Sequence, residues 1–338
     1  MIITLMTNRY LSKLYLSKRL VSRFYTTIFL YIIMDCNFAT EIPSSSLYRS
    51  KLRKLLVNFL MLAILIYNFS SEAKNLTTYS INSPTTADFI KIVDKDTLVL
   101  ISIDNIILTP KSKIFRTTSP YNSFVEDLIN RSLKSPSFIT HAANWYKQRQ
   151  MILVEDGWPE FIEKLKKTGA KVVGLSKLHY KLYSAIKEPE LLIYKELNQF
   201  NIKFTDKINN LELFKIGSLG GMNSIFYKGI IFTGSFSKAQ TIVDFMKVTY
   251  NVPKKILVFE TRMDYIEQIE DFLKPYDTDY FFVYYLAERD LPGKPLKEAV
   301  ILQQQQLINA EKWIEDEEAE RMVTATTTKQ DTPSLSTE

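Results

Sequence analysis

Residues 99 to 110, VLISIDNIILTP, place a single carboxylate, Asp104, at the end of an apolar run that reads as a buried strand. That is the arrangement of a phosphotransferase active site or of the remains of one. In open α/β sheets the ligand crevice lies at the carboxyl ends of the strands, so an acid there is placed either for chemistry or to cap the next turn. Further strand-like bursts also end in polar residues: Ser176 in VVGLSK, Lys238 after IIFTGSFS, and Glu260 and Asp264 in ILVFETRMD. Each has a plain structural reading. Ser176 can merely end a strand, and Ser237-Lys238 reads as a helix start with the lysine on a solvated first turn.

The elements that must position these residues are legible as periodicity. Bursts at 98 to 103, 170 to 176, 228 to 234, 254 to 260 and 280 to 286 are short, β-branched or aromatic, and apolar on both faces. That pattern belongs to parallel strands covered on both sides by helices. Between them, FIEKLKKTG, KAQTIVDFMKVTYN and RMDYIEQIEDFLKPY are amphipathic, with Gly and Pro as helix stops. The sequence therefore predicts an α/β fold, a three-layer, Rossmann-like parallel sheet, with the strand ends on one edge. Two segments break the rhythm. Residues 119 to 150 are long and helical and follow the first strand, as a cap or lid would. Residues 177 to 227 form a second insertion, ending in a glycine-marked hairpin, IGSLGGMNSIFYKG. Residues 291 to 323 read as one long C-terminal helix whose QQQQ is a solvated face, and 324 to 338 as a disordered polar tail.

The chain has 338 residues, 46% hydrophobic and 24% charged, enough for a packed core. Its net charge of +6 is confined to the leader: residues 1 to 73 hold 9 Lys/Arg against 3 Asp/Glu, and the remainder holds 34 of each. A folded part without a basic surplus gives no expectation of nucleic-acid binding. The one cysteine, Cys36, also lies in the leader, which excludes a disulfide framework or cysteine metal site elsewhere, and two histidines are too few for a histidine-rich zinc site. His141 reads as a helix-packing residue and His179 as a surface one.

Within the leader, Lys51, Arg53 and Lys54 precede an apolar run from Leu55 to Phe69 and then Ser71-Glu72-Ala73, the three parts of a secretory signal. The expectation is export from a bacterial cytoplasm to the periplasm or beyond, with cleavage after Ala73. The alternative is anchoring by residues 55 to 69, which would make the leader the sole membrane contact. A second basic and apolar segment, from Arg9 to Ile33, leaves open whether translation starts at Met1 or Met34.

In their order along the chain, the strand ends resemble the motifs of the haloacid dehalogenase-like (HAD) superfamily, in particular its exported bacterial proteins of unassigned function. The resemblance covers roughly residues 90 to 290, and WIEDEEA near the end is similar too. It implies a HAD-like domain over 74 to 290 with a cap at about 119 to 150. It also implies catalytic positions at Ser102 and Asp104, phosphate-binding positions at Ser176 and Lys238, and metal positions at Glu260 and Asp264. In such a site a carboxylate nucleophile attacks phosphorus, a second carboxylate protonates the leaving oxygen, and Mg²⁺ neutralises the phosphoryl oxygens. Here Ser102 stands where the nucleophilic Asp belongs, Ile106 where a Thr usually supports the loop, and Glu260-Thr261 where an Asp is expected.

The expectation that follows is a degenerate phosphatase acting as a ligand- or partner-binding pseudoenzyme, without a cofactor, with Glu260 paired to Lys238 and with a small phosphate-bearing ligand or a protein as partner. Two alternatives compete with it. One is a weak Mg²⁺-dependent phosphohydrolase using Asp104 and Glu260; the other is a membrane-tethered interaction protein in which the crevice is irrelevant.

Overall fold

The computed structural model describes residues 74 to 330, apart from 220, 221 and 292. The leader, residues 1 to 73, with the expected signal segment, cleavage site and anchor, lies outside the described residues, as does the tail from 331. All ten strands fall in one compact unit. No helix among the described residues is long and apolar enough to cross a membrane.

Eight strands form a single, mostly parallel sheet: β1 (Lys74–Thr78), β2 (Thr97–Ser102), β5 (Lys171–Ser176), β6 (Leu213–Leu219), β7 (Met222–Tyr227), β8 (Ile230–Phe232), β9 (Lys255–Glu260) and β10 (Asp279–Tyr285). Their order is β1-β10-β9-β2-β5-β8-β7-β6. Strands β9, β2, β5 and β8 run parallel, with Ile101 opposite Phe259 and Ser102 opposite Leu175. The four expected strand ends therefore share one edge. β1 was not among the expected strands: KNLTT lacks an apolar run, and it adds to the sheet through parallel pairing with β10.

Both faces of the central strands are buried, which is why their sequences are apolar without alternation. On one face Val99, Ile101, Val172, Leu257 and Phe259 join Trp158, Phe161 and Leu165 of α4 (Trp158–Lys167) and Ile193 and Leu197 of α5 (Pro189–Gln199). Leu98, Leu100, Val173, Leu175, Ile256 and Val258 alternate with them and are equally buried. Buried residues also come from α6 (Lys238–Val248), namely Ile242 and Phe245, and from α7 (Met263–Leu273), namely Ile266 and Ile269. Helix α1 (Pro84–Ile90) starts at Ser83, whose hydroxyl accepts from the Thr86 amide.

The stretch 119 to 150 holds two helices, α2 (Phe124–Arg131) and α3 (Ser137–Gln148). They are carried on an antiparallel ribbon of β3 (Leu108–Pro110) and β4 (Met151–Leu153), with Leu108 opposite Leu153. Leu128, Ile129, Ala142 and Trp145 pack in a separate core with Leu182, Ile186, Val300 and Trp313.

The C-terminal region departs from the single helix expected. It is α8 (Lys297–Ala310) and α9 (Asp316–Gln330), broken at Glu311, whose φ of 54° is left-handed. The break turns Trp313 and Ile314 into the interior and sets Asp316 to accept from Ser112 Oγ at 2.5 Å and the Lys113 amide at 2.8 Å. Nor is the glutamine run wholly solvated. Gln303 is 1% exposed and donates to Ile314 O and Asp316 Oδ1. Helix α9 also takes in the first residues of the segment expected to be disordered.

Candidate functional site

The strand edge gathers three of the expected residues into direct contact. Ser102 ends β2, Glu260 ends the neighbouring β9, and Lys238 opens α6 after the short β8. Helix α6 begins there because Ser237 caps it, its hydroxyl accepting from the Gln240 amide at 3.0 Å. The Lys238 ammonium donates to Ser102 Oγ at 2.7 Å and to Glu260 Oε2 at 2.6 Å, and Ser102 Oγ donates to the same Oε2 at 2.7 Å. The other carboxylate oxygen accepts from the Thr261 amide at 2.9 Å. All three side chains are buried: Ser102 and Glu260 are 1% exposed and Lys238 8%. Of the two readings of Lys238, a solvated first turn or a partner of Glu260, the structure has the second, with the ammonium as the cation of a buried cluster.

Two partners that the sequence reading left out complete the edge. Tyr265, in the first turn of α7, presents its ring to the Lys238 ammonium at 4.9 Å from the centroid and to the Arg262 guanidinium at 4.2 Å. Lys177, the residue after β5, lies 4.8 Å from the same centroid and donates to Tyr265 Oη at 2.8 Å. Lys177 is exposed and makes no ion pair among the described residues. An aromatic one turn beyond a strand-end acid was the available signal for Tyr265. For Lys177 it was only adjacency to Ser176.

Ser176 is buried at the end of β5, one residue beyond the register partner of Ser102, and its carbonyl accepts from the Thr233 amide at 3.1 Å. Asp104 stands apart from the cluster. It is exposed, its backbone bridges to Leu108, and Asn105 after it takes a left-handed φ of 61° to close the turn. Its negative charge is felt instead by Tyr146 and Arg149 at the end of α3. Burial, with a smaller push from Asp104, raises the Tyr146 phenol to about 12 against the opposing pull of Arg149. Arg149 is held by a buried bidentate pair with Glu196, at 2.9 and 2.8 Å, and lies 4.4 Å from the Tyr146 ring. Burial lowers the guanidinium, but Glu196 outweighs it and the net shift is upward.

Asp264 is half exposed and bound to Arg262 through both oxygens, at 3.0 and 2.6 Å. The arginine, chiefly by these hydrogen bonds, holds its carboxyl below the usual carboxylate range. The donor set therefore fits Mg²⁺ poorly. Glu260 Oε2 already accepts from an ammonium and a hydroxyl, Ser102 adds no charge, and Asp264 is neutralised by its neighbour, whereas Mg²⁺ needs closely octahedral oxygen ligands. Among the described residues no group of three or more His, Cys, Asp or Glu is placed to hold a metal. The histidines lie elsewhere: the His141 ring is edge-to-face with Phe138, centroids 6.1 Å apart, and His179 Nδ1 accepts from the Lys181 amide at 3.3 Å.

The family described as Protein of unknown function (DUF2608) matches residues 79–320, and the chain belongs to it. An uncharacterized protein of Rickettsia prowazekii (strain Madrid E) is 36% identical over 274 residues, covering 81% of this chain and 98% of that one. An uncharacterized protein of Rickettsia bellii (strain RML369-C) is 22% identical over 218 residues, 58% of this chain and 70% of the relative. No solved structure matches.

Proposed function

We propose that this member of the DUF2608 family is a HAD-like pseudoenzyme, exported or anchored through its leader, that binds a small phosphate-bearing ligand or a protein partner in a crevice no longer able to transfer phosphate. The observation that carries the reading is the Lys238 ammonium seated between Ser102 Oγ and Glu260 Oε2. Opposite charges in contact in a poorly hydrated cleft attract strongly, so the lysine takes the place a divalent cation would need. The basic group in contact with the serine is Glu260, whose Oε2 also accepts from the Lys238 ammonium and is neutralised by it, and among the described residues no histidine is hydrogen-bonded to Ser102.

Binding without turnover has a cation available. Lys177 faces the edge with only a phenol as partner, and a phosphate offers it the charge-assisted hydrogen bond it lacks. Helices α2 and α3, carried on the β3–β4 ribbon, serve in this reading as the lid, with Tyr146 and Arg149 in the field of the Asp104 charge. The test is hydrolysis of para-nitrophenyl phosphate by the full chain with and without Mg²⁺, beside titration with inorganic phosphate. The reading expects no metal-dependent turnover and phosphate binding weakened by Lys177→Ala. Turnover that needs Mg²⁺ and is lost in Asp104→Asn would replace it with the phosphohydrolase alternative.

A further inference from the structure

A separate cleft of about 230 Å³ opens where α4, α5 and the segment 202–206 meet the hairpin turn between β7 and β8. Its walls include Lys166, Lys203, Lys228, Asp206, Tyr194 and Phe204. On the volume a water takes in the liquid, it has room for about eight waters, or for an organic molecule smaller than a drug-sized ligand. The Phe204 wall is fixed by two glycines. A Cβ on Gly174 would lie 2.5 Å from the Phe204 ring, and one on Gly229 would lie 2.7 Å from Phe204 Cβ.

The charges are unequal. Lys166 is spent on Glu163 at 2.7 Å and on Lys203 O at 3.1 Å. Lys203 and Lys228 make no ion pair among the described residues, and Asp206 is the one acid in the lining. That leaves a surplus of one positive charge. Lys228 is also in an unusual place. Lys228 and Gly229 form a two-residue hairpin turn with φ of 46° and 86°, a geometry whose first position favours Asn, Asp or Gly. A lysine there sits against backbone preference, and a side chain kept in such a position directs attention to what it does. Its ammonium lies 4.9 Å from the ring centroid of Tyr194, a lining residue, and 5.5 Å from that of Tyr227.

We propose that this cleft binds a small organic monoanion, a carboxylate with a planar or branched apolar body, its charge on Lys228 and Lys203 and its body against Phe204 and Tyr194. The apolar floor at Ile230 and the single surplus charge favour a carboxylate over a phosphate dianion.

The test is calorimetric titration of the full chain with sodium benzoate, using benzyl alcohol as its neutral counterpart. Benzoate should bind at least 10-fold more tightly than the alcohol. Lys228→Asn places a favoured residue in the turn, so it should keep or raise Tm while weakening benzoate at least 10-fold. Lys203→Ala, an exposed loop change, should weaken it at least threefold. Equal affinities for the two probes, no binding at 10 mM benzoate, or benzoate affinity unchanged in both lysine variants would overturn the proposal. So would loss of binding in Lys177→Ala with retention in Lys228→Asn, which would put the anion at the other sheet edge.

Discussion

Lys238 Nζ lies 2.6 Å from Glu260 Oε2, joining the start of α6 to the end of β9 in a pair whose side chains are 8% and 2% exposed. Removing one member of a buried ion pair strands the other charge, which costs about 3–5 kcal/mol, whereas replacing both with apolar groups is far milder. Lys238→Met and Glu260→Leu should each lower stability by about that amount, and Lys238→Met/Glu260→Leu by much less than the sum. Denaturant unfolding of the four proteins checks the coupling.

Ser102 is the position at which the edge could regain a metal. Ser102→Asp would set two carboxylates against one ammonium, and the surplus negative charge should give measurable Mg²⁺ binding that the unmodified protein lacks. Titration of both proteins with Mg²⁺ reads the difference directly. Equal, absent binding in both would show that Lys238 satisfies even two acids.

The strands were legible in the sequence because burial on both faces leaves apolar runs such as LVLISI and KKILVFE, and the shared edge followed from parallel pairing. Ser102, Lys238 and Glu260 meet there as the order of strand ends implied. Other features were not readable. β1 is polar and owes its place to β10. The break between α8 and α9 falls on Glu311, with neither Gly nor Pro to mark it, because the packing of Trp313 and the Asp316 hydrogen bonds decide it. Asp104 looked like the principal acid of the edge, yet the turn after Ile103 carries it out to solvent, a distinction that depends on one left-handed asparagine.

Gly174 gives a packing test of the β5 face. Its missing side chain admits the Phe204 ring, so Gly174→Ala should destabilise by about 1–3 kcal/mol through overpacking. Gly174→Ala/Phe204→Leu should recover part of that loss in thermal unfolding.

Acid stability should depend on Asp94, whose carboxyl is lowered to about 2, first by its hydrogen bond from Lys255 and then by Thr97. A carboxyl depressed on folding contributes stability that is full above its unfolded value and fades as pH falls towards the folded one. Its contribution should therefore be present at pH 5 and disappear between about pH 4 and pH 2. Asp94→Asn should be less stable than the parent at pH 5, with the difference closing at pH 2.

The most direct measurement is the metal dependence of the Ser102–Lys238–Glu260 edge itself: titration of the full, unmodified chain with Mg²⁺, followed by a phosphatase assay in millimolar Mg²⁺. With Lys238 seated on Glu260, the expected result is no saturable Mg²⁺ binding at this edge and no Mg²⁺-dependent release of phosphate. Saturable binding abolished by Glu260→Gln, or Mg²⁺-dependent turnover abolished by Asp104→Asn, would contradict it.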